Sequence, residues 1–153
     1  MTRRVLLAQS LLPVFAWADA ADDVWEVAAA MAAALSDDNA SGFLKLIDKE
    51  MPGYQDLESK VTALLDKADV QSNISPLGNE GSPAGRTLQL DWILRMKPKH
   101  AVSPLDDVPD GHPGDLRAEQ REEAVTLLFH RDGKHWRVRK LDPIAFFAPP
   151  SFA

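Results

Sequence analysis

The run Asp106-Asp107-Val108-Pro109-Asp110-Gly111-His112-Pro113-Gly114-Asp115 holds four carboxylates and an imidazole, the kind of cluster that binds a hard cation. Aligned as a calcium loop from Asp106, it places Asp110 and Gly111 at the fifth and sixth positions. The third and twelfth positions, which must supply oxygen ligands, are Val108 and Arg117, so the run reads as a solvated acidic loop. Zinc fares no better. His100 and His112 are too far apart for one helix turn, and His130 and His135 do not make a clean pair. Nucleophilic chemistry lacks its parts, since the chain has no cysteine, no G-x-S-x-G elbow and no glycine-rich phosphate loop. Asn39-Ala40-Ser41 and Asn73-Ile74-Ser75 match the glycosylation acceptor pattern, which matters only in a host that glycosylates. Neither a metal nor any other cofactor is expected.

The elements that would position any remaining chemistry follow a leader. Arg3 and Arg4 form a short basic start, Val5 to Trp17 is an apolar stretch, and Ala18-Asp19-Ala20 offers small residues to a signal peptidase. Residues 1–20 therefore read as a cleaved signal peptide and residues 21–153 as one exported domain, periplasmic or extracellular. Thr2-Arg3-Arg4-Val5-Leu6-Leu7 also resembles part of a twin-arginine export signal. The apolar stretch is too short to cross a bilayer, and no second one follows, so no membrane anchoring is expected after cleavage. The chain carries 17 basic and 23 acidic residues, net charge −6, and losing Arg3, Arg4 and Asp19 makes it slightly more negative. That balance excludes a basic footprint of the kind nucleic acid requires. Without cysteine, an exported domain must be held by packing.

Apolar residues at Val24, Val27, Ala28, Met31 and Leu35 have the spacing of one helical face, entered by Asp22 and Asp23. Ser36-Asp37-Asp38-Asn39 ends that helix and caps a second, around residues 40–48. Met51-Pro52-Gly53 opens a third, with Tyr54, Leu57, Val61 and Leu64 inward and Asp56 paired to Lys60 on the surface. From Ala68 the period becomes two. Val70, Ser72 and Ile74 form one face of a strand, and Pro76 to Pro83 reads as a hairpin loop. Leu88, Leu90, Trp92, Leu94 and Met96 then line one face of a long strand, opposite Gln89, Asp91, Ile93, Arg95 and Lys97. Residues 98–121 form a long excursion rich in proline, glycine and aspartate. Val125, Leu127 and Phe129 mark a strand over 123–131, and Trp136 and Val138 mark another over 135–141, joined by an Asp-Gly turn. The proline-rich, aromatic tail 143–153 is expected to pack over an open end of the core.

Three amphipathic helices, a strand, a long strand and a final hairpin through Gly133-Lys134-His135-Trp136-Arg137-Val138 resemble the nuclear-transport-factor-like superfamily, also called cystatin-like, over residues 22 to about 147. The resemblance implies an α+β fold: three N-terminal helices packed on a curved antiparallel sheet of four to five strands that forms a cone. Ketosteroid isomerases and polyketide cyclases share this fold. Their chemistry implies a carboxylate base and an acidic hydrogen-bond donor inside the cone, where desolvation raises the carboxylate's pKa. Asp91 is the obvious candidate, yet its parity opposes Leu88, Leu90, Trp92 and Leu94, so it should face outward and pair with Arg95, Arg137 or Arg139. Lys140 and Asp142 share parity with Trp136 and Val138 and should sit near the open end of the last strand.

The reading that follows favours binding over catalysis, with no catalytic residue assigned. Tyr54, Leu90, Trp92, Phe129 and Trp136 are the candidates to line a pocket for a small apolar ligand. Ile93, Leu128 and Leu141 among charges on the outer face suit a homodimer. Two alternatives stand beside it: an isomerase, dehydratase or cyclase using Tyr54 with Asp91 or Asp142, and a protein-interaction module using loop 98–121.

Overall fold

The computed structural model describes residues 2–99 and 118–152, with side chains from Asp19 onward. Helices α1 (Thr2–Ser36), α2 (Ala40–Lys45) and α3 (Tyr54–Lys67) precede strands β1 (Ala68–Gly81), β2 (Gly85–Pro98), β3 (Glu119–Asp132) and β4 (His135–Asp142). A 3-10 turn, Ile144–Phe147, follows. The fold is α+β, and the four strands make one curved antiparallel sheet in the order β1-β2-β3-β4. The connection from α2 to α3 adds one parallel bridge, Ile47 to Val138, in which the Asp48 N–H donates to the Val138 carbonyl.

The helices form where the apolar spacing places them. Val24, Ala28, Met31 and Leu35 of α1 are fully buried, as the i, i+4 and i, i+3 spacing requires. The helix runs through Ala20 instead of starting at Asp22, so Asp22 and Asp23 lie within it and not at its positive end. Asp38 in a left-handed conformation stops it. Asn39 then caps α2, its side chain accepting from the Gly42 N–H at 2.8 Å. Lys60 donates to Asp56 at 2.8 Å on the exposed side of α3, whose buried stripe is Leu57, Val61, Leu64 and Leu65.

Strand β2 is the clearest case of period two. Leu88, Leu90, Trp92, Leu94 and Met96 are all buried, while their alternates face water wholly or in part. The expected loop over 76–83 is corrected: β1 continues to Gly81, and the turn is Gly81 to Gly85. The strand absorbs Pro76 because β1 is the sheet's edge, where a missing N–H breaks no ladder. It absorbs Leu77 as a bulge, with Pro76 opposite Leu90 and Gly78 opposite Gln89, which leaves Leu77 60 % exposed. Gly81, at φ 139°, brings its backbone so close to Gly85 and Arg86 that a side chain could not fit.

Two further boundaries move. Residues 119–121, read from sequence as part of the excursion, begin β3; residues 100–117, with the acidic run and His100 and His112, lie outside the described residues. In β4 the register slips between Leu128 and Phe129, which face Lys140 and Val138, so Arg139 is bulged out. The bulge inverts the parity beyond it. Leu141 is buried where the outer face was expected, and Lys140 and Asp142 are exposed where the inner face was expected.

Candidate functional site

Among the described residues, the concave side of the sheet and a groove between α2 and α3 are the places where the expected site residues fall. The concave side is closed by the chain's own tail. Phe147 meets the Trp92 ring edge-on at 5.1 Å and tilts against Phe43 at 5.5 Å, and Phe146 lies 6.4 Å from Trp92. Trp92 donates its indole N–H to the Ser72 hydroxyl at 2.7 Å, and the Ser72 N–H in turn donates to Ser36 at 2.9 Å. Of the residues expected to line a pocket, Leu90, Trp92 and Phe129 are buried in this core. Trp136 is 6 % exposed beside Arg131, with its indole N–H buried and unpartnered. Tyr54 is only half-buried and stands apart from the other four, in the groove.

The tail is held down by two residues at the start of β3. Arg121 donates to three carbonyls, those of Phe146 (2.9 Å), Ala148 (2.6 Å) and Pro149 (2.9 Å), and also to Glu119 at 2.9 Å. Glu119 accepts from both the N–H and the hydroxyl of Ser151, at 2.9 and 2.7 Å. Partial burial pushes the Glu119 carboxyl up, but the bonds from Ser151 and the Arg121 charge outweigh it and hold the group below its ordinary value. Sequence reading missed this latch because it assigned both residues to a loop.

No acid–base pair reaches the core among the described residues. Arg86 is the one charged side chain buried there, 7 % exposed, and Asn79 satisfies it, accepting from Nε at 2.9 Å and through its carbonyl at 3.1 Å. Asp91 faces outward as its parity predicts, but the expected arginine pairing is corrected. Arg95 donates to Gln120, Arg137 to the Lys45 carbonyl, and Arg139 pairs with Asp48. Asp91 instead shares a hydrogen bond with Glu122, diagonal to it across β2 and β3, and that bond with the neighbouring negative charge raises the Glu122 pKa.

The groove encloses about 760 Å³. On one wall α2 presents Ser41 and Lys45, one helical turn apart; on the other α3 presents Tyr54, Glu58 and Thr62, each one turn beyond the last. Leu44 and Ile47 supply apolar surface, and Lys49 and Arg137 complete the rim. Arg137 is fixed by its bond to the Lys45 carbonyl at 3.0 Å. Burial and then the Glu58 charge raise the Tyr54 pKa, so its hydroxyl stays protonated and able to donate. Of these residues, sequence reading singled out only Tyr54 as a contact. The i, i+4 polar repeats at 41/45 and 54/58/62 were legible, but nothing local says that they face each other.

Helices stacked on one side of a four-stranded meander, with the last hairpin closing the sheet, are shared with solved structures. A nuclear transport factor 2 superfamily protein from Salmonella enterica serovar Typhimurium aligns over 81 % of this chain and 89 % of its own, with a TM-score of 0.63 at 8 % identity. This chain has the nuclear-transport-factor-like, cystatin-like fold. A protein of unknown function with a cystatin-like fold from Nostoc punctiforme aligns over 79 % of this chain and 90 % of its own, with a TM-score of 0.51 at 13 % identity. A function-unknown protein from Mycobacterium tuberculosis covers 88 % of this chain and 72 % of its own, at TM-score 0.55 and 7 % identity. At these identities the nuclear-transport-factor-like likeness is one of fold. No family model matches the sequence, and no curated protein matches it.

Proposed function

We propose that this chain is an exported, non-catalytic domain that acts by binding, and that the partner of its outer sheet face is a second copy of itself. The observation that carries the reading is the occupied concave side: Phe146 and Phe147 fill the space beside Trp92 that a substrate of an isomerase or cyclase would need. The same packing leaves the outer face as the open side of the sheet. Leu128, 42 % exposed, lies there opposite Thr87 with Glu50, Arg139, Lys140 and Asp142 about it, and the half-buried Ile93 stands further along β2 beside Asp91, Arg95 and Glu122. An exposed leucine ringed by both signs of charge suits an isologous interface, in which each charge can meet its opposite across a two-fold axis.

Export rests on the leader. In the full chain Ala20 is 2 % exposed, so cleavage after it precedes folding. The Asn79 side chain donates to the Ala21 carbonyl at 3.0 Å, which would tether the new first residue to Arg86. Intact-mass measurement of protein recovered outside the cytoplasm should give a chain beginning at Ala21; a chain retaining Met1 would overturn export by this leader.

Sedimentation equilibrium tests self-association. The native chain should sediment as a dimer, and Leu128→Glu as a monomer with unchanged circular dichroism. A native chain that stays monomeric at high concentration would end this reading.

A further inference from the structure

We propose that the α2–α3 groove is a binding site for a small polyhydroxylated anion, a sugar-sized molecule bearing a carboxylate or phosphate. Charge is the first argument. On a chain of net charge −6, this groove gathers Lys45, Lys49 and Arg137. Among the described residues, none of the three has a carboxylate within ion-pair distance. Of the two acids present, Asp48 is already committed: one oxygen accepts from the Glu50 N–H at 2.9 Å and the other pairs with Arg139 at 3.4 Å. Three cations then face one uncommitted acid, Glu58, in the lining, and Arg137 is held in place by the Lys45 carbonyl instead of being free to fold away.

The rest of the lining fits the body of such a molecule. Ser41, Tyr54 and Thr62 bring hydroxyls that both donate and accept, and Glu58 brings acceptor oxygens for ligand hydroxyls. The half-buried Tyr54 ring offers a flat surface to the C–H face of a sugar ring. A volume of about 760 Å³ lies within the range of small-molecule sites. The groove is built by helices and the rim of β4 and is separate from Leu128, so it stands or falls apart from self-association.

Titration calorimetry of the full chain with glucuronate, glucose 6-phosphate, glucose and inorganic phosphate tests the assignment. Saturable binding of a sugar anion is expected, with glucose weaker by about tenfold or more, the loss of a charge-assisted contact. Whichever anion binds more tightly identifies the head group. Lys45→Gln with Lys49→Gln, both exposed positions, should weaken the anion by about tenfold or more and leave the fold intact. Tyr54→Phe should weaken it severalfold, and Leu128→Glu should leave it unchanged. The proposal is overturned if neither sugar anion binds, if glucose binds as tightly as its anions, or if the lysine double variant binds normally. Inorganic phosphate binding as tightly as glucose 6-phosphate would overturn the sugar-sized body.

Discussion

The two faces of one sheet are made by alternate residues of the same strands, yet they obey opposite rules. The concave face is buried and aromatic, and of its two indoles Trp92 is satisfied by Ser72 while the Trp136 N–H stays without a partner. The outer face carries two carboxylates, Asp91 and Glu122, at diagonal positions across β2 and β3. Water screens a like-charge pair on the outer face; the interior would not tolerate it. Acidic groups on β3 therefore divide by partner. Glu119 is spent on Arg121 and the tail, and Glu122 is set against another acid.

The largest test of this contrast is Phe147→Ala. Removing a fully buried ring that touches Trp92 and Phe43 should destabilise the protein by about 3–5 kcal/mol in urea unfolding. A loss under about 1 kcal/mol would mean that the tail is not part of the core. Arg121→Ala comes next. It removes the donors to three tail carbonyls from a partly buried site and should cost about 1–3 kcal/mol. A double-mutant cycle with Glu119→Gln should then show coupling.

Titration sharpens the comparison further, because the two acids should shift stability in opposite directions. The folded-state pKa of Glu119 is depressed, so the latch contributes fully above the unfolded value and is lost as pH falls through the folded one. The Glu122 pKa is raised by the Asp91 bond and charge, so the native state is penalised above that value and the penalty fades as pH falls toward the unfolded value. Glu119→Gln should thus flatten the acid loss of stability, and Glu122→Gln should remove a gain. Urea unfolding at several pH values that gave both variants the same slope would break the contrast between the faces. The smallest effect is expected of Asp91→Asn, which relieves repulsion on an exposed surface and should not lower the melting temperature.

Sequence reading reached the facing of β2 and the helix stripes without help, including the outward Asp91, because these follow from periods of two and 3.6 within a single segment. It overestimated the turn at Pro76 because proline reads as a breaker wherever it stands, and only sheet position shows that β1 is an edge. It placed Lys140, Leu141 and Asp142 on the wrong faces because one bulged residue, Arg139, inverts all that follows, and a bulge is set by the partner strand.

The candidate groove was less legible still. Ser41, Tyr54, Glu58 and Arg137 come from three elements that meet only after the chain has folded back on itself. Composition and local periodicity by themselves determined that this protein has amphipathic helices followed by alternating strands, with no cysteine, glycine-rich or nucleophile motif to do chemistry. Tertiary structure alone decided which tail fills the core, which arginine holds it and which cations share a groove. Those outcomes depend on contacts between residues far apart in the chain, and no local pattern encodes them.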